Sequence, residues 1–325
     1  MTHKIKKLSF IIVLLIIPLF LSACTEQRQK KQEKTAFLLD TIVTITIYEG
    51  GSEDILDGAI ALIESFEDRF SKTRQGSEIA RLNNEKNTEV SPDTAEMIGI
   101  ARTYAEKTDG AFDISIGAVD KLWDFQAENP TLPNTALIEE ALKKVGYKNI
   151  RRDGTSITLE NGAELDLGGI AKGYIADKVK TYLQENGVTS AVINLGGDVL
   201  LIGQKGGEPF AVGVADPQNP DALACILDMS DCAVVTTGIY ERSFTIDGRR
   251  YHHILDPKTG WPIDANLSSV TIVTAAAVDG DALATACLVL GEEKALALLA
   301  TLPGTSVLFI DREGNILPSS TVIYR

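Results

Sequence analysis

Cysteine and histidine are scarce in this chain, with 4 Cys and 3 His in 325 residues. No CxxC pair and no Cys/His spacing suited to zinc occurs, which excludes a thiolate-based zinc site. Positive charge is also short: 31 Lys+Arg against 45 Asp+Glu leave a formal net charge of −14. A nucleic-acid binder draws most of its affinity from a basic face that neutralises phosphate, so no nucleic-acid partner is expected. Apolar runs of membrane-spanning length are missing. The run at 8–21 falls short of the about 20 residues that a span needs. What remains is 44% hydrophobic and 23% charged, the mix of a globular protein long enough to bury a substantial core. An acidic chain that handled an anionic nucleotide would have to shield that charge locally, and a bound metal is one way to do so.

The N-terminus reads as an address. Lys4, Lys6 and Lys7 precede the 8–21 run, which closes on Leu21-Ser22-Ala23-Cys24. A basic head, a short apolar stretch, small residues and then Cys resemble a bacterial lipoprotein signal. Residues 1–23 are then expected to be removed and Cys24 to carry lipid, acyl chains such as palmitate, each buried methylene adding about 0.8 kcal/mol of anchoring. An ordinary signal peptide with an incidental Cys is the plainer alternative. Residues 24–34 are polar and read as a flexible tether, leaving 35–325 as one folded body on the extracytoplasmic face of the cell membrane. Of the three other cysteines, Cys287 sits in an apolar helical pattern and reads as a core thiol. Cys225 and Cys232 either pair in an oxidising compartment or stay free.

Along the body, residues 37–48 read as one strand, alternating with period two from Thr41 onward. Helical stripes cover 54–70, 92–107, 135–145, 170–185, 279–290 and 292–300, the second opening with Ser91-Pro92-Asp93. Hairpins are expected around Asn161-Gly162 and Asp247-Gly248, the second flanked by strands at 243–246 and 250–255. Further short strands are expected at 191–195, 199–202, 210–214, 224–227, 233–236, 267–273, 307–310 and 321–324. No βαβ rhythm appears, so the fold class is α+β with mixed, mostly antiparallel sheets and packed helices.

Four constellations could carry chemistry. In Asp166-Leu167-Gly168-Gly169-Ile170-Ala171-Lys172-Gly173-Tyr174 a strand ends in an acid, two glycines allow close backbone approach, and a helix starts. Helix N-termini attract phosphate, and Lys172 adds charge in the first turn. The same stretch would serve as a plain strand-to-helix turn. Asn194-Leu195-Gly196-Gly197-Asp198 repeats the pattern of strand, two glycines and acid. His252 and His253 are the only histidines outside the signal segment; a strand would point them to opposite faces. Asp281 and Thr285 are four apart, on one face of a helix. That pair suits a hard cation such as Mg²⁺, and equally an acid favouring the helix dipole beside a hydroxyl bonded back to the helix.

Taken together, these segments resemble the ApbE-type FAD:protein FMN transferases in kind and order. Thr237-Gly238-Ile239-Tyr240-Glu241-Arg242, the run from His253 to Gly260, Gly110-Ala111-Phe112-Asp113 and Leu39-Asp40-Thr41 belong to the same likeness, which spans about 36–320. The resemblance implies an ApbE-like fold and transfer of the FMN part of FAD to a threonine hydroxyl of an extracytoplasmic acceptor protein, with AMP leaving. It implies Mg²⁺ held by Asp281, Thr285 and the Gly169 carbonyl. It implies FAD contacts from Asp166, Lys172, His253 and Ile254, and weaker ones from Leu39, Thr73, Ala111, Phe112 and Asp113. His253 is the candidate for taking the acceptor proton, and Asp281 is counted as catalytic through the metal. Two other outcomes fit the same motifs: a Mg²⁺-dependent FAD pyrophosphatase giving FMN and AMP, and a flavin-binding lipoprotein without chemistry.

Overall fold

Period-two burial sets the architecture. In the central strands, neighbouring residues belong alternately to two apolar layers: Leu200, Val235, Val307 and Phe309 to one, and Leu201, Val234, Leu308 and Ile310 to the other. A sheet written this way must be covered on both faces. The computed structural model describes residues 31–264 and 266–325. Gln32 to Arg325 form one compact unit.

Its strands are β1 (Gln32–Leu38), β2 (Thr41–Glu49), β3 (Asn87–Glu89), β4 (Ile150–Asp153), β5 (Ser156–Leu159), β6 (Ser190–Leu195), β7 (Asp198–Ile202), β8 (Phe210–Asp216), β9 (Asn219–Met229), β10 (Ala233–Gly238), β11 (Ser243–Ile246), β12 (Arg249–His252), β13 (Leu267–Thr274) and β14 (Ser306–Asp311). The helices are α1 (Glu53–Phe70), α2 (Glu78–Glu85), α3 (Pro92–Lys107), α4 (Gly117–Asp120), α5 (Thr135–Leu142), α6 (Ala171–Glu185), α7 (Ala277–Leu290) and α8 (Glu292–Leu299). The main sheet has seven strands in the order β1-β2-β6-β7-β10-β13-β14, antiparallel throughout. This matches the expected α+β class. Helices α1, α6 and α7 cover one face, and the β8–β9 hairpin packs Phe210, Val212 and Leu227 on the other.

The helices are seated by caps and one close approach. Ser52 accepts from the Ile55 amide at the start of α1, whose stripe Leu56, Ala59, Ile60, Ile63, Phe66 and Phe70 is buried. Asp177 on α6 accepts from the Ala277 and Val278 amides, each at 2.9 Å, and so caps α7 from a neighbouring helix. Gly173 lets α6 lie against α7: a methyl group there would stand 2.7 Å from the Ala277 carbonyl carbon and 2.8 Å from the Val278 Cα.

Several expectations are corrected. Residues 37–48 are not one strand but the end of β1 and most of β2, joined at Leu39 and Asp40, both with φ of 56°. A two-residue turn of this kind favours Asn-Gly, and Leu-Asp conceals it. Because β1 starts at Gln32, residues 32–34 of the expected tether pair with β2. Cys24 and the signal segment lie outside the described residues. β4 and β5 form a hairpin turning at Gly154 (φ 60°); the chain also turns at Asn161-Gly162 (φ 54° and 74°), but no paired strand follows, because after Gly162 it runs past Asn83, which bonds Leu165. Residues 321–324 form no strand; Thr321 and Val322 both donate to the Val307 carbonyl, a pattern no ladder makes. Helix α2, capped by Ser77, was not expected. Cys225, Cys232 and Cys287 are all free thiols. Among the described residues no helix is long and apolar enough to cross a membrane.

Candidate active site

The site grows from the glycine turn before α6. The Gly168 amide donates to Asp166 Oδ1 at 2.7 Å, an Asx turn that starts the reversal. The Ala171 amide then bonds the Leu167 carbonyl at 2.9 Å, and α6 follows. Gly169 sits at the crest. A methyl group there would stand 3.1 Å from Thr285 Oγ1 and 3.3 Å from the Phe112 ring. Four residues on, the Gly173 amide donates to Asp281 Oδ2 at 3.0 Å. Gly169, Asp281 and Thr285, far apart in the chain, therefore meet where the turn crosses α7.

The second glycine turn reaches the same place. It joins β6 to β7, and its Asp198 is 1% exposed and ion-paired with Lys172 at 2.6 Å. Burial lowers the Lys172 pKa, but Asp198 and Asp281 more than offset that, so the ammonium is firmly charged. Asp281 is pushed up to about 7, first by burial and then by the Asp198 charge, with Lys172 and the Gly173 amide opposing. Glu241, also raised by burial, faces the same cation. The centre thus holds Asp198, Asp281 and Glu241 around one lysine.

His253 stands just beyond the end of β12. Its Nδ1 lies 3.4 Å from the Arg242 carbonyl, which can only accept, so Nδ1 carries the proton and Nε2 the lone pair. Burial, then the charges of Arg242 and Lys172, bring it down to about 4, against the pull of the Arg242 carbonyl and Asp166. Those two charges place it beside the turn. His252 is instead buried, with Nε2 3.1 Å from the Ile263 carbonyl.

The other candidates divide. Phe112 lies against Gly169, and Ala111 beside it is buried. The Asp113 carboxylate is committed to the fold: it accepts from Ser115 N and Oγ at 2.9 and 2.7 Å and from the Tyr147 amide at 2.7 Å. Ile254 is buried in the main core. The Leu39 amide donates to Glu67 at 3.2 Å, and its side chain packs on that core. Thr73 lines a cavity of about 840 Å³ with Lys72, Asp120, Arg81 and Trp123.

Sequence reasoning missed Lys72 and Asp120. The Lys72 ammonium contacts both Asp120 and Asp166. No motif announced this, because three separate segments supply the partners. Asp198 stood within a quoted motif, and its pairing with Lys172 gives it a role that motif did not assign. Among the described residues no three of His, Cys, Asp and Glu gather as a metal cluster. The expected metal set contains one carboxylate, so this does not bear on it.

Known proteins share both sequence and fold. The ApbE family model matches residues 39–309. An FAD:protein FMN transferase of Treponema pallidum is 33% identical over 323 residues, covering 92% of this chain and 89% of that protein. One from Klebsiella pneumoniae is 33% identical over 293 residues, covering 88% and 91%. The crystal structure of the ApbE protein from Thermotoga maritima superposes with a TM-score of 0.82 at 35% identity, covering 89% of this chain and 96% of that one. Pseudomonas stutzeri flavinyl transferase ApbE gives 0.79 at 28% identity, covering 89% and 95%. These likenesses define a transferase enzyme. The chain belongs to the ApbE family.

Proposed function

We propose that this protein is a Mg²⁺-dependent FAD:protein FMN transferase that moves the FMN part of FAD to a threonine hydroxyl of an extracytoplasmic acceptor and releases AMP. The observation that carries the reading is the meeting of Gly169 with Thr285, beside an Asp281 carboxylate fastened to the same turn.

The residues fit a hard cation. A backbone carbonyl, a hydroxyl and a carboxylate are all oxygen donors. Asp281, raised to about 7 by burial and Asp198, is a buried acid that a nearby cation would return to its ionised form. Gly169, Asp281 and Thr285 would hold Mg²⁺. When bound, the ion would supply charge neutralisation on the diphosphate and on the leaving AMP. The N-terminal end of α6 and the Lys172 ammonium favour anionic oxygens at the same crest. Asp166 presents an acceptor to hydroxyl or amine donors of the ligand. His253, neutral with its lone pair on Nε2, takes the proton as the threonine oxygen bonds to the FMN phosphorus and the phosphorus–oxygen bond to AMP breaks. Lipid on Cys24 would keep this chemistry at the membrane, where acceptors anchored in the same membrane lie within reach.

The test is to mix the protein with FAD, Mg²⁺ and a threonine-bearing acceptor and to weigh the acceptor. A gain of one FMN with matching AMP supports transfer. FMN and AMP released with the acceptor unchanged would leave a pyrophosphatase. FAD retained without AMP would leave a binding protein.

A further inference from the structure

Lys72 follows α1, Asp120 ends α4, and Asp166 opens the glycine turn, yet one ammonium touches both carboxylates. Asp120 is raised to about 6, first by burial and then by the Asp166 charge, with Lys72 opposing. Asp166 is held below its usual range: burial works against this, and Lys72, the Gly168 amide and Asp120 overcome it. The charged neighbours are few. Lys121, next to Asp120, pairs with Glu164 at 2.5 Å, and His253 interacts electrostatically with Asp166. Lys72, Asp120, Lys121 and Glu164 all line the cavity of about 840 Å³. Lys72 and Asp120 therefore border open space, and Asp166 stands behind them at the start of the glycine turn.

Two desolvated carboxylates this close cannot both stay ionised on their own, and one takes a proton. Lys72 opposes that conflict and fixes both side chains. We infer that Lys72 is a positioning residue for ligand recognition: by bridging Asp120 and Asp166 it holds the Asp166 carboxylate, at the start of the glycine turn, as an acceptor for the hydroxyl or exocyclic-amine donors of a flavin dinucleotide. This rests on the flavin-dinucleotide reading above.

The experiment reads FAD affinity from flavin fluorescence between about pH 5 and 8 in wild type, Lys72→Met, Lys72→Arg and the double variant Lys72→Met/Asp120→Asn. Lys72→Met should weaken binding about 10-fold or more and make it steeply pH-dependent in this range. Lys72→Arg should restore most of the affinity. The double variant should recover both affinity and the flat pH profile, because Asp166 no longer has a charged neighbour to share a proton with. A purely structural lysine would lower the melting temperature without changing the pH profile, and removing Asp120 would rescue nothing. Lys72→Met that binds FAD as wild type does at every pH overturns the proposal, as does a folded double variant no better than the single one. Wild type that binds no FAD overturns the flavin reading itself, and this inference with it.

Discussion

The Gly173 amide donates to the Asp281 carboxylate at 3.0 Å, tying the first turn of α6 to the helix that carries Thr285. One hydrogen bond thus links the phosphate-type turn to the proposed cation ligand, and the close contact of the two helices makes it possible.

Gly173 should therefore resist any side chain. A methyl group there meets the Ala277 backbone, which cannot rotate away. Gly173→Ala is expected to cost about 1–3 kcal/mol in denaturant unfolding, as overpacking typically does. Transfer activity should fall further than stability, because the shift moves Asp281 away from Gly169. A fully active, equally stable Gly173→Ala would contradict the helix contact described above.

Asp281 gives a prediction with a definite sign. Its folded pKa, about 7, lies above the ordinary 3.8, so its share of stability is present below about pH 4 and is lost as pH rises to 7. The metal-free protein should lose that share between these values, Mg²⁺ should restore it, and Asp281→Asn should remove both effects. Thermal melts across pH, with and without Mg²⁺, check this. Asp281→Asn should also lose metal-dependent transfer while still folding.

Lys172, its side chain 26% exposed, pairs with Asp198, which is 1% exposed. Removing Lys172 strands the buried Asp198 charge, so Lys172→Met should destabilise by about 1–3 kcal/mol, below the cost of breaking a fully buried pair. Lys172→Met/Asp198→Asn should regain much of that stability but not the activity, since no cation is left at the turn. Unfolding titrations of the two single variants and the double one give the coupling.

That Asp281 and Thr285 share a face was legible because the helix period fixes it, whereas each glycine turn alone reads as a plain turn and pointed to a site only through its company with the other motifs. The Leu39-Asp40 turn was not legible, since its left-handed backbone is carried by residues that rarely adopt it. Helix α2 buries only Ile79 and Leu82, too short a stripe to stand out. Lys72 with Asp120 and Asp166 was invisible for another reason. It depends on three segments folding together, and no local pattern encodes that.

His253 should matter for rate more than for binding. It is brought down to about 4, so it is neutral and competent as a base across the neutral range. His253→Gln should slow transfer by about 10²–10⁴-fold with FAD affinity little changed, and with Mg²⁺ saturating, so that Asp281 stays ionised, wild-type transfer should fall as pH drops towards 4. Stopped-flow transfer rates and FAD titration of the same variant separate the two. A variant with normal rate would remove His253 from the proton step.

The most direct measurement is an anomalous difference map from crystals soaked with Mn²⁺ and FAD. A single strong peak touching the Asp281 carboxylate, Thr285 Oγ1 and the Gly169 carbonyl, with the flavin dinucleotide's diphosphate against it, is the predicted result. A peak elsewhere, or FAD bound with its diphosphate remote from Gly169, would contradict the account.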